Sequence, residues 1–145
     1  MSIKLKLDAG WNDLIKAIEK AGGKIEPVTL KCMQDSADIM QHELKAQMRK
    51  SNVEERLIDK MPANKIENEH GRITARVGYD KGVYDPNNPS DAYKVVFLNY
   101  GTPHRKKHGK VKARGFIQRA KKNAKRKITI QQENALKEIL RGLQK

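Results

Sequence analysis

A stripe of apolar residues at helical spacing is the feature that most constrains the fold of this chain. Met33, Ala37, Met40, Leu44 and Met48 follow one another in steps of 4, 3, 4 and 4 residues. Residues at these intervals lie on one face of an α-helix. The pattern predicts a helix of about six turns from roughly Glu26 to Lys50. We expect its methionine face to be core, with Cys32 beside it as a small buried residue.

A second stripe near the C-terminus predicts another long helix, from Arg114 to Gly142 and about 40 Å in length. Its apolar positions are Phe116, Ile117, Ala120, Ala124, Ile128, Ala135, Ile139 and Leu143. The opposite face carries Lys121, Lys122, Lys125, Arg126 and Lys127. A helix of this length overhangs a domain of 145 residues, so we expect its C-terminal half to pack on another subunit.

Three segments have strand patterns. Apolar and polar residues alternate in Ser2–Leu7 and again in Arg72–Tyr79, which is typical of strands with one buried face. The segment from Tyr93 to Tyr100 is apolar on both faces, which favours a central strand covered on both sides. A short helix from about Gly10 to Ala21 is predicted by the helical spacing of its large apolar residues, Trp11, Leu14, Ile15 and Ile18.

The segments between these elements are rich in turn-forming residues, and we expect mobile loops near residues 51–71, 80–92 and 102–113. The prediction is a single α+β domain spanning residues 1–145. Its small, mainly antiparallel sheet of three to four strands is packed by two N-terminal helices and one long C-terminal helix.

Positive charge is concentrated in one third of the chain. Of 31 Lys and Arg residues, 13 lie between Ala92 and Gln132, a segment without Asp or Glu, and the other 18 are balanced by 17 acidic residues. The positive charge by itself favours an acidic partner, which could be nucleic acid, an anionic membrane or an acidic protein surface, and the bias places that partner at this segment. A solvated basic face is the alternative interpretation.

The single cysteine, Cys32, excludes an internal disulfide framework and a multi-cysteine zinc site. No run approaches the roughly 20 apolar residues of a membrane span, and the N-terminus lacks an apolar core of signal-peptide length. We therefore expect a protein made in a reducing cytoplasm, or in a particle assembled there, without a membrane partner.

The sequence contains no recognised catalytic motif: no phosphate-binding glycine loop, no nucleophile elbow and no zinc-hydrolase helix. His104 and His108 stand four residues apart, which is a metal spacing on a helix. Their position between Pro103 and Gly109 indicates a solvated loop instead. We expect a non-enzymatic protein without a cofactor or a bound metal.

Two short motifs resemble the tail-completion (neck) proteins of tailed bacteriophages, of the minor tail protein Z type. In that family a valine-rich segment ends in an aromatic residue followed by Gly-Thr, and a later loop closes on Ala-Arg-Pro-Phe-Leu-x-x-Ala. The matching residues here are Val95, Val96, Tyr100, Gly101 and Thr102, followed by Ala113, Arg114, Phe116, Ile117 and Ala120. Gly115 stands where the family commonly has proline, and residues 52–70 lack the family's Thr-Gly-x-Leu segment.

The resemblance implies a structural virion protein that completes the tail and docks it to the head connector. Such proteins assemble as a homo-oligomeric ring, six-fold by the resemblance, in contact with connector, terminator and tail proteins. Contact with genomic DNA in the ring's lumen is a further expectation. Localisation would be the tail or neck of the virion, assembled in the host bacterial cytoplasm. The alternative function is a non-specific DNA-binding or DNA-packaging accessory protein.

The candidate partner-binding residues fall into two groups. The contact loop itself is predicted to carry Arg105, Lys106, Lys107, Lys110 and Lys112. The base of the loop is predicted to be shaped by Tyr100, Gly101, Thr102, Arg114 and Phe116.

Overall fold

The computed structural model describes residues 2–6, 26–62, 64–69, 72–79, 91–105 and 109–143. In chain order the elements are β1 (Ser2–Lys6), α1 (Glu26–Lys50), α2 (Glu55–Asp59), β2 (Lys65–Glu69), β3 (Arg72–Gly78), α3 (Asp91–Tyr100), β4 (Thr102–Arg105), β5 (Gly109–Val111) and α4 (Phe116–Leu143). The predicted α+β fold is confirmed. The helix predicted at residues 10–21 and most of the loop predicted at 80–92 lie outside the described residues.

Helix α1 is the central element of the core, and its predicted bounds are confirmed. The whole methionine stripe from Met33 to Met48 is buried, and Cys32 is 2% exposed. The helix ends in a Schellman motif, in which Asn52 adopts a left-handed φ of 57°. The Val53 N–H donates to the Met48 carbonyl at 3.0 Å, and the Asn52 N–H donates to the Arg49 carbonyl at 3.1 Å. These bonds satisfy carbonyls that the helix end would otherwise leave unpaired.

The sheet has three antiparallel strands in the order β1–β3–β2. The register pairs Ile3 with Val77 and Leu5 with Ala75, while Ile66 pairs with Ala75 from the other side. Alternation places Ile73, Ala75 and Val77 of the central strand on the face that α1 covers. Both alternating segments are confirmed as strands, because each supplies one apolar face to the same core.

Helix α4 packs antiparallel to α1, and a row of polar contacts runs along the contact between them. Gln47, Glu43 and Ser36 of α1 contact Arg119, Lys127 and Gln131 of α4, in that order. The residue numbers fall along one helix as they rise along the other, which fixes the antiparallel direction. Beside this polar row, the small and apolar side chains Phe116, Ile117, Ala120 and Ala124 are fully or almost fully buried.

The segment from Tyr93 to Tyr100, predicted as a central strand, is instead part of helix α3. Its buried residues Ala92, Val95 and Asn99 are spaced by 3 and 4, which is the spacing of a helical face. The aromatic pair Tyr93 and Phe97, with ring centroids 6.4 Å apart, is also a helical i,i+4 pair. The strand prediction was wrong for two reasons. The Val-Val-Phe run is typical of strands, and one of the three buried positions of the helical face is polar, so the helical spacing is not visible in the apolar residues alone.

Two of the segments predicted as loops contain regular structure. Residues 51–71 include α2, which buries Leu57 and Ile58, and the edge strand β2. Residues 102–113 include β4 and β5, which pair as an antiparallel hairpin. Strand β2 was missed because Lys-Ile-Glu-Asn-Glu has one apolar residue, so its conformation depends on hydrogen bonds to β3 rather than on its own pattern.

Candidate functional site

The predicted contact loop is the β4–β5 hairpin, which leaves the fold between the end of α3 and the start of α4. Its register pairs Thr102 with Val111 and Arg105 with Gly109, with an irregularity between the two pairs. Lys106 and Lys107 lie outside the described residues, while Lys110 is part of β5 and Lys112 follows it as an exposed residue. The Thr102 hydroxyl accepts a hydrogen bond from the Val111 N–H at 3.2 Å, which closes the base of the hairpin.

Gly101 is the point of closest backbone approach at this base. Its φ is 79°, and a Cβ placed on it would lie 2.8 Å from the Val111 carbonyl oxygen and 2.9 Å from the Ala113 nitrogen. Both distances are shorter than a Cβ tolerates, and the φ is one that residues other than glycine seldom adopt. Glycine is therefore required by geometry at position 101, because the two ends of the hairpin touch there through their main chains.

Asn99 joins the end of α3 to the start of α4. Its side-chain oxygen accepts the Ile117 N–H at 2.8 Å, and its main-chain carbonyl accepts the Gly115 N–H at 3.0 Å. The side chain is 1% exposed. It acts as an N-cap supplied from another helix, which satisfies donors that α4 cannot satisfy internally. Sequence reasoning missed Asn99, although a polar residue closing an apolar run was a signal for such a role.

Two arginines fasten the start of α4 to the end of α1. Arg114 Nη1 donates to the main-chain oxygens of Ser51 and Asn52, at 3.1 and 3.2 Å. Arg119 Nε donates to the Gln47 side chain at 3.2 Å, and its guanidinium also contacts the Ser51 hydroxyl. A cation at the carbonyl end of a helix is electrostatically favourable. Arg114, predicted as part of the loop base, is engaged within the chain as a clamp between helices.

The structure brings four of the five predicted base residues together where the end of α3, the base of the hairpin and the start of α4 meet. We call this region the joint. Gly101 and Thr102 close the hairpin, and Phe116 is completely buried at the start of α4. Between them, Arg114 donates to the Ser51 main-chain oxygen in the turn that follows α1. Tyr100, the fifth, is 56% exposed at the end of α3. It is one of two large hydrophobic residues, with Ile130, that are exposed in the described part of the chain.

Gly115 occupies the position at which tail-completion proteins commonly have the proline of Ala-Arg-Pro-Phe. Its φ is 62°, whereas the proline ring holds φ near −65°. A proline could not adopt this conformation, so the turn into α4 in this chain differs locally from a turn built on proline. A Cβ on Gly115 would have an ordinary contact, 3.6 Å from Arg119 Nη1.

The first half of α4 presents cations of two kinds. Lys127 forms an ion pair with Glu43, whose side chain is 10% exposed, and Arg119 is held by the α1 contacts described above. Lys121, Lys122, Lys125 and Arg126 form the second kind, and all four are exposed. Within the described residues, none of these four is paired with a carboxylate. We call these four residues the basic face of α4.

A cavity of about 450 Å³ opens between α1 and the second half of α4, lined by Cys32, Gln131 and Ile130 among others. Burial raises the pKa of the Cys32 thiol above its usual value, although a hydrogen bond from Gln131 opposes this shift. The thiol is therefore protonated at neutral pH, and a protonated thiol is a poor nucleophile. Among the described residues no group of three or more His, Cys, Asp or Glu side chains could hold a metal ion.

None of the helices in the described ranges combines the length and the apolar character needed to cross a membrane. Comparison of the chain with protein-family models, with curated proteins and with solved structures finds no match.

Proposed function

We propose that this chain is a structural virion protein that completes a phage tail and docks it to the head connector. The proposal rests on the resemblance of two short motifs, and one observation carries it further. The Gly-Thr motif and the Ala-Arg-x-Phe motif are 11 residues or more apart in sequence, yet both belong to one joint. A backbone contact at Gly101, the Asn99 cap and the Arg114 clamp all meet there.

The joint suits docking because it holds the root of a basic hairpin in one geometry. The Thr102 hydroxyl accepts a hydrogen bond that closes the base of the hairpin, and the Asn99 side chain accepts one that joins the helices on either side of it. Arg114, which follows the hairpin, donates to the main chain at the end of α1. A binding element that is already ordered loses less conformational entropy when its partner binds. The hairpin carries the predicted contact residues Arg105, Lys106, Lys107, Lys110 and Lys112, which fit an acidic surface on a neighbouring protein.

A ring of identical subunits requires a heterologous contact, in which one patch binds a different patch on the next subunit. The uneven charge of this chain, with its excess between Ala92 and Gln132, provides two unlike surfaces of that kind. Ring formation, six-fold symmetry, the connector, terminator and tail partners, and a position in the virion neck all belong to this proposal and follow from the resemblance.

The test is a charge reversal in the hairpin. A variant with Arg105→Glu, Lys106→Glu and Lys107→Glu should fold normally but prevent joining, because like charges would then face the acidic partner. Electron micrographs of lysates should show separate heads and tails. The control changes three exposed lysines elsewhere, Lys4→Glu, Lys31→Glu and Lys50→Glu, with the same change in net charge. Wild-type yields of infectious particles from the hairpin variant would refute the proposed contact loop.

A further inference from the structure

The basic face of α4 is arranged against local electrostatic preference. Lys121 and Lys125 are four residues apart, as are Lys122 and Arg126, and Lys122 and Lys125 are three apart. Side chains at these spacings are neighbours on a helix, and like charges there are destabilising. The helix has no acidic residue in its first turn, where the macrodipole favours negative charge. Six cations and no carboxylate occupy residues 116–132.

Among the cations of α4 described above, two are bound by side chains from α1 and the turn that follows it. Lys127 has Glu43, and Arg119 has the oxygens of Gln47 and Ser51. The four residues of the basic face are exposed and have no carboxylate partner among the described residues. They lie within two helical turns, over a rise of about 7.5 Å. A duplex carries about one phosphate charge per 1.7 Å of its axis when both strands are counted, so a surface of this length can reach several phosphates.

The composition of this face favours phosphates over a protein surface. Protein–protein interfaces are depleted in lysine and usually centre on aromatic or other apolar anchors. Gln118 and Thr129, the exposed neighbours at the centre of this side of the helix, are polar. The exposed apolar side chain of Ile130, four residues after Arg126, lies at its edge rather than at its centre. Single-stranded nucleic acid is held by aromatic side chains that stack on bases, and α4 has no exposed aromatic residue in its described side chains. Contacts to the phosphate backbone of a duplex need neither apolar anchors nor stacking aromatic side chains.

We infer that Lys121, Lys122, Lys125 and Arg126 form a contact surface for the phosphate backbone of duplex DNA, separate from the hairpin and without base recognition. The inference rests on α4 alone and not on the proposed role at the head–tail junction. A failure of the hairpin experiment would leave it standing, and its own failure would leave the hairpin proposal standing.

The experiment compares two variants of equal net charge. One changes the basic face, with Lys121→Gln, Lys122→Gln, Lys125→Gln and Arg126→Gln. The control changes four exposed lysines elsewhere, with Lys4→Gln, Lys31→Gln, Lys50→Gln and Lys137→Gln. Each removes four positive charges, so both lower the formal net charge from +14 to +10. Glutamine is a good helix former, and circular dichroism with thermal melting verifies that both variants fold.

The measurement is the affinity for a 30-base-pair duplex across a salt series. Each phosphate contact contributes a slope of about −0.9 in log K against log salt. The face variant should therefore lose about 3 to 4 units of slope and bind at least about tenfold more weakly near 0.1 M salt. The control should lose less than about 1 unit. A double variant, Lys122→Gln with Arg126→Gln, should lose about 2 units and covers the case in which the fourfold change unfolds the chain.

Two outcomes would overturn the inference. Equal loss of slope in the face variant and the control would mean that the chain binds DNA as a diffuse polycation. The face variant could instead lose binding to poly-glutamate and keep its duplex binding. That result would assign the basic face to an acidic protein partner.

Discussion

At the scale of single residues, the joint beneath the hairpin depends on positions that only one or two residue types can fill. Gly101 has both a left-handed φ of 79° and no room for a Cβ. Asn99 uses its main-chain and side-chain oxygens to bind two successive parts of the turn into α4. A short polar side chain with an acceptor is required there, because the site is buried.

Replacing Gly101 by alanine should lower the free energy of unfolding by more than about 2 kcal/mol, because left-handed strain adds to a backbone clash. Gly115→Ala is the matched control. Its φ of 62° carries the same kind of strain, but a Cβ there makes an ordinary contact, so its loss should be about 1 kcal/mol. Urea denaturation measures both. Equal losses in the two variants would show that the close contact at Gly101 does not exist.

Tyr79 provides a pH-dependent test of the core. Burial, with a smaller contribution from the charge of Asp91, raises the pKa of Tyr79 to about 12. Its hydroxyl donates to the Leu57 carbonyl. Because the folded pKa lies above the unfolded value of about 10, the folded state holds this proton more tightly. The resulting stability is fully present below pH 10 and is lost as the pH rises from 10 to 12.

The variant Tyr79→Phe cannot ionise and should lack this component. The difference in unfolding free energy between wild type and variant, measured from pH 9 to 12, should fall as the pH rises. A difference that stays constant over this range would contradict the burial of the Tyr79 hydroxyl.

At the scale of elements, the sequence predicts those parts whose periodicity agrees with their burial. Helix α1 and strands β1 and β3 each bury one continuous face, and α4 buries one over its first half, so their bounds are read from spacing to within a residue or two. Helix α3 was mistaken for a strand because the buried position Asn99 is polar, and hydrophobicity alone does not count it. Its burial results from a contact with Ile117, 18 residues away.

The candidate site also has some features that local pattern predicts and others that depend on contacts between distant parts of the chain. Charge and turn residues predicted a basic loop at residues 102–113, and the apolar helical stripe predicted the buried Phe116, since both follow from local pattern. The Asn99 cap and the contact of Arg114 with Ser51, 63 residues away, depend on how distant elements meet. A polar residue at the end of an apolar run marks Asn99 as unusual, but no local pattern names its partner or that of Arg114, so the clamp role of Arg114 could be found only in the folded chain.

The polar contacts between α1 and α4 should contribute to stability, whereas the basic face of α4 should not. Lys127→Ala should lower the free energy of unfolding by about 1–2 kcal/mol, because the buried Glu43 would lose its partner. Lys122→Ala, on the same helix, should change it by no more than about 0.5 kcal/mol. Urea denaturation at neutral pH compares the two. Equal effects would mean that Glu43 and Lys127 do not interact in solution.

At the scale of the whole molecule, charge is distributed over two surfaces with separate proposed roles. The hairpin is held at its root by neighbouring helices and is proposed to dock to an acidic protein. The basic face of α4 is proposed to lie against DNA phosphates. Both lie in the segment between Ala92 and Gln132, where the chain has its positive excess. A protein at the entrance of a DNA-filled particle would have both kinds of neighbour.

The most direct measurement of the central proposal removes the chain from the particle. Lysates from a phage genome in which this coding sequence is deleted are imaged by electron microscopy, before and after purified protein is added. We predict separate full heads and finished tails. Added wild-type protein should join them into infectious particles, and the hairpin variant should not. Joined, infectious particles in the deletion lysate would contradict a role at the head–tail junction.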